Sequence, residues 1–405
     1  MKALPDFRTP DFLRAQALSI MSFYDGRCVD PAGGFFHYFK DDGTVYDRST
    51  RHVVSSARFV VTHAWAAQRF PEDPRAASWR SHAAHGLRFL QEVHRDDEGR
   101  YAWLLKFESG RSRVLDGTQY AYGLSFVLLA HATALACGLG EAAEGMTDAF
   151  RKLERHFWEP QHGLYANDAD GRWQLSPYRG QNANMHAVEA LLAAHAASGE
   201  GPYLERAVTV ADSLTRRLAE AHGGLVWEHY HADWTPDLDF NRGEHGDLFR
   251  PWGFQPGHLC EWARLLLALE RALPDLDTEN WLQHRARQLF GAAVQHGWDR
   301  AHGGLVYTFG PDFTVDDADK HFWVQAEAIG AAAALAERTV EGGYWDWYDR
   351  LWAYAWEHLV DHEHGAWFRQ LDARNQRVDD NKSPAPKTDY HTLGACLEAL
   401  DALSR

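Results

Sequence analysis

Asp299-Arg-Ala-His-Gly-Gly-Leu305 is a glycine-centred turn followed by a few aromatic and β-branched residues, Val306-Tyr-Thr-Phe309, as in a short hairpin. Five other stretches repeat it: Asp30-Pro-Ala-Gly-Gly-Phe35, Asp97-Glu-Gly-Arg-Tyr101, Glu159-Pro-Gln-His-Gly-Leu164, Ala221-His-Gly-Gly-Leu225 and Asp361-His-Glu-His-Gly-Ala366. Their first glycines, at 33, 99, 163, 223, 303 and 365, are 66, 64, 60, 80 and 62 residues apart. Periods of this size mark repeated supersecondary units.

Pairs of helix-length patterns fill the intervals. Segments near 52–69, 118–137, 183–198, 257–271, 321–337 and 391–403 are rich in Ala and Leu and apolar nearly all round, which predicts buried helices. Those near 9–24, 75–94, 141–156, 201–219, 278–297 and 342–359 carry a charged stripe, which predicts outer ones. Six buried and six amphipathic helices in alternation close most naturally into an all-α (α/α)6 barrel. One domain over 1–405 is expected, with short hairpins and one long loop at one end. That loop is the polar run Glu228–Arg250, which has Pro, Gly and no helix period. It leads to His258 as a lid or a pocket wall, and residues 372–388 precede His391 similarly.

Composition narrows the function. The chain has 405 residues, 45% hydrophobic and 24% charged, which reads as soluble and globular. A formal charge of −16 repels phosphates and argues against nucleic acid or an anionic membrane as partner. Cys28, Cys137, Cys260 and Cys396 are scattered without a CxxC, as reduced thiols of a cytoplasmic protein would be. No targeting segment or spanning helix is expected. Seventeen tryptophans and fifteen tyrosines suit a site that stacks on sugar rings.

Each predicted inner helix carries a polar residue in turn: Arg58, Tyr122, His186, His258, Glu327 and His391, spaced by 64, 64, 72, 69 and 64. Burying such groups singly is costly, so six in register predict a polar pocket at one end of the barrel. Pro256 and Gly257 are expected to block helix before His258, which then stands in the first turn, where the helix dipole favours neutral imidazole. Glu261, three residues on, is expected to orient that ring. His391 opens another helix, with Thr388 or Asp389 as its cap. Two neutral histidines are suited to moving protons. Asn182 one turn before His186, Trp323 one turn before Glu327, and Arg250 thicken the cluster.

His186–Glu189 and His258–Glu261 are i, i+3 pairs of a kind that could ligate one ion. HExxH, an opposed Glu-x-x-His set and paired cysteines are all missing, so no metal and no cofactor are expected. Nucleotide-binding and serine-hydrolase motifs are missing too. A glycosidase would need two opposed carboxylates, for which Glu327 with Glu261 is the nominal pair. A non-catalytic sugar-binding protein is the remaining alternative.

Pro256-Gly-His-Leu-Cys-Glu-Trp262, Asn182-Ala-Asn-Met-His186, Trp323-Val-Gln-Ala-Glu327 and Tyr390-His391 resemble the N-acylglucosamine 2-epimerase superfamily over nearly the whole chain. Lys387-Thr-Asp-Tyr-His391 looks closest to its mannose isomerase branch; cellobiose 2-epimerases and sulfoquinovose isomerases are other members. The resemblance implies an (α/α)6 barrel acting on a free monosaccharide without metal or cofactor, as a monomer or homodimer. It implies His258 and His391 as catalytic residues. It also implies Arg58, Tyr122, Asn182, His186, Glu261 and Glu327 as pocket residues, with Arg250 and Trp323 beside them. The reaction expected is interconversion of D-mannose and D-fructose through a cis-enediolate, with sugar 2-epimerisation as its close competitor.

Overall fold

The computed structural model describes residues 4–244, 250–273, 280–339, 343–384 and 386–405. Its described helices are α1 (Pro10–Tyr24), α2 (Val53–Arg69), α3 (Ala76–Phe89), α4 (Ala121–Ala136), α5 (Ala142–His156) and α6 (Gln181–Ser198). They continue as α7 (Gly201–Asp212), α8 (Pro256–Ala272), α9 (Trp281–Gly297), α10 (Phe322–Arg338), α11 (Tyr344–His358) and α12 (Tyr390–Ser404). Even-numbered helices touch one another in sequence and α12 returns to α2, so they form a closed inner ring. Each odd-numbered helix from α3 onward packs outside the even one before it, and α1 packs on α12. This is the (α/α)6 barrel expected from the repeats.

Burial explains the division. In α10, every residue from Phe322 to Leu335 is buried, and the small side chains of Ala326, Ala328, Gly330 and Ala331 let neighbouring helices approach. In α5, only Ala142, Met146, Ala149 and Leu153 are buried, a single stripe at helical spacing. Among the described residues, no helix is long and apolar enough to cross a membrane.

The glycine turns follow the outer helices and lead to the N-termini of the inner ones. Five are closed by antiparallel pairing: Val29↔Phe35, Arg95↔Tyr101, Trp158–Glu159 with Leu164–Tyr165, Trp298↔Leu305 and Val360↔Trp367. Around Gly223, a 3-10 turn over Ala219–His222 leads into the turn. Gly304, at φ +77°, shows why glycine recurs: a Cβ there would lie 2.4 Å from the Tyr354 ring.

An acid in four of these turns holds a cation of a later strand. The pairs are Asp30–Arg51 (2.6 Å), Glu159–Arg179 (2.8 Å), Asp299–Lys320 (2.7 Å) and Asp361–Lys382 (2.7 Å). Each joins a turn to the strand ahead of an inner helix, fixing where that helix begins.

Four expectations need correction. Pro256 does not hold off α8 but opens it as the first helical residue, where its missing N–H costs nothing. Neither Thr388 nor Asp389 caps α12 through its side chain; Asp389 Oδ1 instead accepts from Thr392 Oγ1 at 2.9 Å. The polar run from Glu228 is not all loop, because His229–Tyr230 pairs with Arg179–Gly180. Its tip, residues 245–249, lies outside the described residues, and the expected lid lies partly there. Nor are all hairpins short: Leu104–Glu108 pairs along Arg111–Asp116.

Candidate active site

Side chains on the inner helices meet at their N-terminal ends in two layers. The first turns supply Tyr122, Asn182, His258, Trp323 and His391; one turn deeper stand Arg58, His186, Glu261 and Glu327. The six residues read as one register therefore split between levels. Tyr122, His258 and His391 lie above Arg58, His186 and Glu327, because their helices start at different offsets from the shared spacing. An inner chamber of ≈ 20 Å³ is lined by Arg58, Tyr122, Asn182, His186, His258 and His391, among others. Tyr122 and Asn182 also line an outer vestibule of ≈ 280 Å³.

Glu261 does not orient His258. The His258 Nδ1 lies 3.0 Å from both carboxylate oxygens of Glu228 and 2.9 Å from Gln181 Nε2. Trp262 Nε1–H donates to Gln181 Oε1 at 2.7 Å, which fixes that amide's orientation and aims its nitrogen at Glu228. Hence His258 Nδ1–H donates to Glu228, and Nε2 is left for the chamber. Glu261 turns instead toward His186 (3.6 Å) and Arg264 (4.0 Å). Its oxygens are buried without a hydrogen-bond partner. Burial and the nearby Glu327 carboxylate push its carboxyl well above the ordinary range.

His391 is held from both sides. Its Nδ1 lies 2.6 Å from Glu327 Oε1, and Arg58 Nη2 lies 3.2 Å from its Nε2. A guanidinium only donates, so Nε2 carries the lone pair and Nδ1 the proton. Burial, with Arg58 next, holds this imidazole well below its usual pKa and keeps it neutral. Arg58 also reaches Tyr122 Oη (3.3 Å) and the Pro386 carbonyl (3.0 Å). His186 donates from Nδ1 to Glu189 at 3.0 Å, and burial lowers its pKa to about 4.

Arg264 lies beneath the His391–Glu327 and His186–Glu189 pairs. It contacts Glu327 (3.1 Å), Glu189 (3.3 Å) and Glu261 (4.0 Å). One guanidinium thus neutralises the floor of the site. Replacing it with methionine leaves buried carboxylates uncompensated, at an expected cost of about 3–5 kcal/mol. Thermal or urea unfolding of the variant measures that loss.

The same floor bears on metals. His186, Glu189 and Glu261 form one set of potential ligands, and Glu261, Glu327 and His391 another, each set within 4.8 Å. His258 belongs to neither. Glu189 and Glu327 already accept from a histidine, and Arg264 holds both as a resident cation. A second cation there would be repelled. These carboxyl groups fit a glycosidase poorly, since Glu261 and Glu327 approach within 4.8 Å under the histidines rather than flanking a sugar at about 5–9.5 Å.

Trp323 lies between the two bases, its ring 5.1 Å from that of His258 and 5.6 Å from that of His391. Gly257 permits this, since a Cβ there would come 2.4 Å from the Trp323 ring. Arg250 belongs to the vestibule, 4.2 Å above the Tyr178 ring and 3.3 Å from Asp168, rather than to the inner chamber. Glu327 stands behind His391.

The family model for N-acylglucosamine 2-epimerase (GlcNAc 2-epimerase) matches residues 34–395. The chain belongs to the N-acylglucosamine 2-epimerase family. Within it, the chain is 46% identical over 402 residues to a D-mannose isomerase of Marinomonas mediterranea, covering 99% of each. It superposes on the crystal structure of a D-mannose isomerase with a TM-score of 0.93 at 46% identity, covering 98% of this chain and 100% of that one. The cellobiose 2-epimerase structure from Bacillus thermoamylovorans shares the fold, with a TM-score of 0.82 at 16% identity over 97% of this chain and 98% of its own.

For this member of the N-acylglucosamine 2-epimerase family, sequence reasoning missed Gln181, Glu228, Arg264 and Lys387. The signal for Arg264 was available: it follows Glu261 by three residues on a helix otherwise apolar on that face. Glu228 gave none, because its partner lies 30 residues away across a strand pair.

Proposed function

We propose that this protein is a metal-independent aldose–ketose isomerase that interconverts D-mannose and D-fructose through a cis-enediolate. The observation that carries the reading is two imidazoles flanking Trp323, each with its Nδ1 held by a carboxylate, and Arg58 against the Nε2 of one of them. The relatives of similar length named D-mannose isomerases support the sugar.

His258 opens the pyranose by moving a proton from O1 to O5, with Glu228 holding its working tautomer. His391 then takes the C2 proton through Nε2, and the sugar's oxygen edge displaces its bond to Arg58. That guanidinium turns to the charge developing on the enediolate. The proton returns from His391 at C1, giving the ketose. Tyr122, Asn182, His186, Trp323 and Arg250 contact the sugar or its path of entry, Glu261 forms part of the floor beneath it, and Glu327 fixes His391. The chain acts as one catalytic domain, 1–405, monomeric or homodimeric. The cytoplasm suits its four free cysteines, and its charge of −16 disfavours nucleic acid as partner.

The test is to incubate EDTA-treated protein with D-mannose in D2O and follow products by NMR. Deuterium-labelled fructose is expected. Chiefly C2-labelled glucose would move the protein to the 2-epimerases, and no exchange would overturn mannose as substrate. Activity lost with EDTA and restored by a divalent ion would overturn metal independence.

A further inference from the structure

Lys387 has no place in the steps above, yet its amine faces the inner chamber. Its Nζ lies 5.0 Å from the centre of the Trp323 ring, the same ring that both histidines flank. The strap carrying it is fastened on both sides: Lys387 N–H donates to the Pro384 carbonyl at 2.6 Å, and the Pro386 carbonyl accepts from Arg58. Among the described residues, no carboxylate lies within ion-pairing distance of this amine. The charged and titratable groups around it are Arg58, Arg369, Glu261, His321 and His391. A half-buried cation without a counter-charge is costly, which points to a role with substrate.

Isomerisation needs more than a carbon proton. Besides moving hydrogen from C2 to C1, it must add a proton at O1 and remove one at O2. We infer that Lys387 is a third catalytic residue, which carries the proton between O1 and O2 of the enediol. The inference rests on the isomerase reading above. Arg58 cannot perform this step because it does not release a proton. His391 is occupied by the carbon-bound proton, and Glu261 lies one turn deeper without exposed surface. Burial, with Arg58 next, lowers the Lys387 pKa to about 7, so the amine exchanges protons readily near neutrality.

The step balances. As His391 takes the C2 proton, the C2–H pair forms C1=C2 and the carbonyl pair moves to O1. The Lys387 ammonium gives its proton to O1, then its amine takes the O2 proton. The O2 pair closes C2=O2, and C1 receives the proton held by His391. Lys387 ends as it began.

The experiment compares wild type with Lys387→Met and Lys387→Arg on [2-²H]mannose, reading fructose formed and deuterium lost from recovered mannose. Fructose formation by both variants is expected to fall about 100-fold. Deuterium lost per fructose formed should rise at least about tenfold, because the enediol returns to mannose when oxygen transfer is slow. A fall in rate with unchanged partition would overturn the inference, as would full activity in either variant. Arginine preserves the charge if methionine prevents folding, so its partition alone can decide. Wild type making no fructose would instead strike the isomerase reading, whatever the variants do.

Discussion

His391→Ala is expected to lower fructose formation about 10²–10⁴-fold and to abolish exchange at C2, with little change in KM. The first effect follows from the loss of the one imidazole whose basic nitrogen is aimed at the chamber while its other nitrogen is tied to Glu327. KM should change little because Trp323, Tyr122 and Asn182, which line the chamber, are untouched. The variant also leaves Glu327 with Arg264 as its remaining partner, so melting must be measured beside activity. Exchange of the C2 hydrogen in D2O is the deciding observation. If it persists, His391 is not the base and the assignment of Lys387 loses its companion step.

Acid is expected to unfold this protein near about pH 5, well above the range in which carboxylates alone would do so. The cause is a set of histidines buried in neutral form. Burial is the largest influence on each, lowering His52 and His63 to about 3 and His94, His131 and His186 to about 4. Their unfolded value is about 6.5. Below it, the unfolded chain binds protons that the folded chain cannot. Stability is therefore complete above about pH 6.5 and is lost as pH falls toward the folded values. Each group costs about 1.4 kcal/mol per pH unit, so the five together cost about 7 kcal/mol per unit. The buried carboxyls of Glu261, Glu327 and Asp389, whose pKa burial raises, titrate in the opposite sense and offset part of this. What remains, about 3 kcal/mol per pH unit, removes over one and a half units most of a native stability at the low end of about 5–15 kcal/mol. Circular dichroism and tryptophan fluorescence followed from pH 7 to 4 would check it. A native signal persisting to pH 4 would mean that these histidines are not held neutral.

The fold could be read from the sequence because its evidence is periodic and local. Turns such as Asp299–Leu305 recur, and segments such as Phe322–Leu335 are apolar all round. The site was partly legible for the same reason: Arg58, His186 and Glu327 repeat with the helices. Errors arose where geometry along a helix replaced geometry across the barrel. Glu261 shares a face with His258 at i+3, but His258 is taken by Glu228 and Glu261 turns to His186 and Arg264. The true partner, Glu228, comes from a strand pair that no local pattern announces. One further regularity was present in the sequence. The acids at 30, 159, 299 and 361 are followed by basic residues 51, 179, 320 and 382, 20 or 21 positions later.

The pairing of α1 with α12 has a consequence for how this enzyme comes into being. Five of the six helix pairs join neighbours in the chain, whereas the sixth joins its two far ends, and strand Tyr38–Lys40 waits for Asn381–Ser383. Long loops must close before those contacts reward the chain, which slows the final step of folding. α12 also brings His391. A nascent chain therefore stays catalytically silent on the ribosome until that helix has emerged, and activity starts when the ring is sealed.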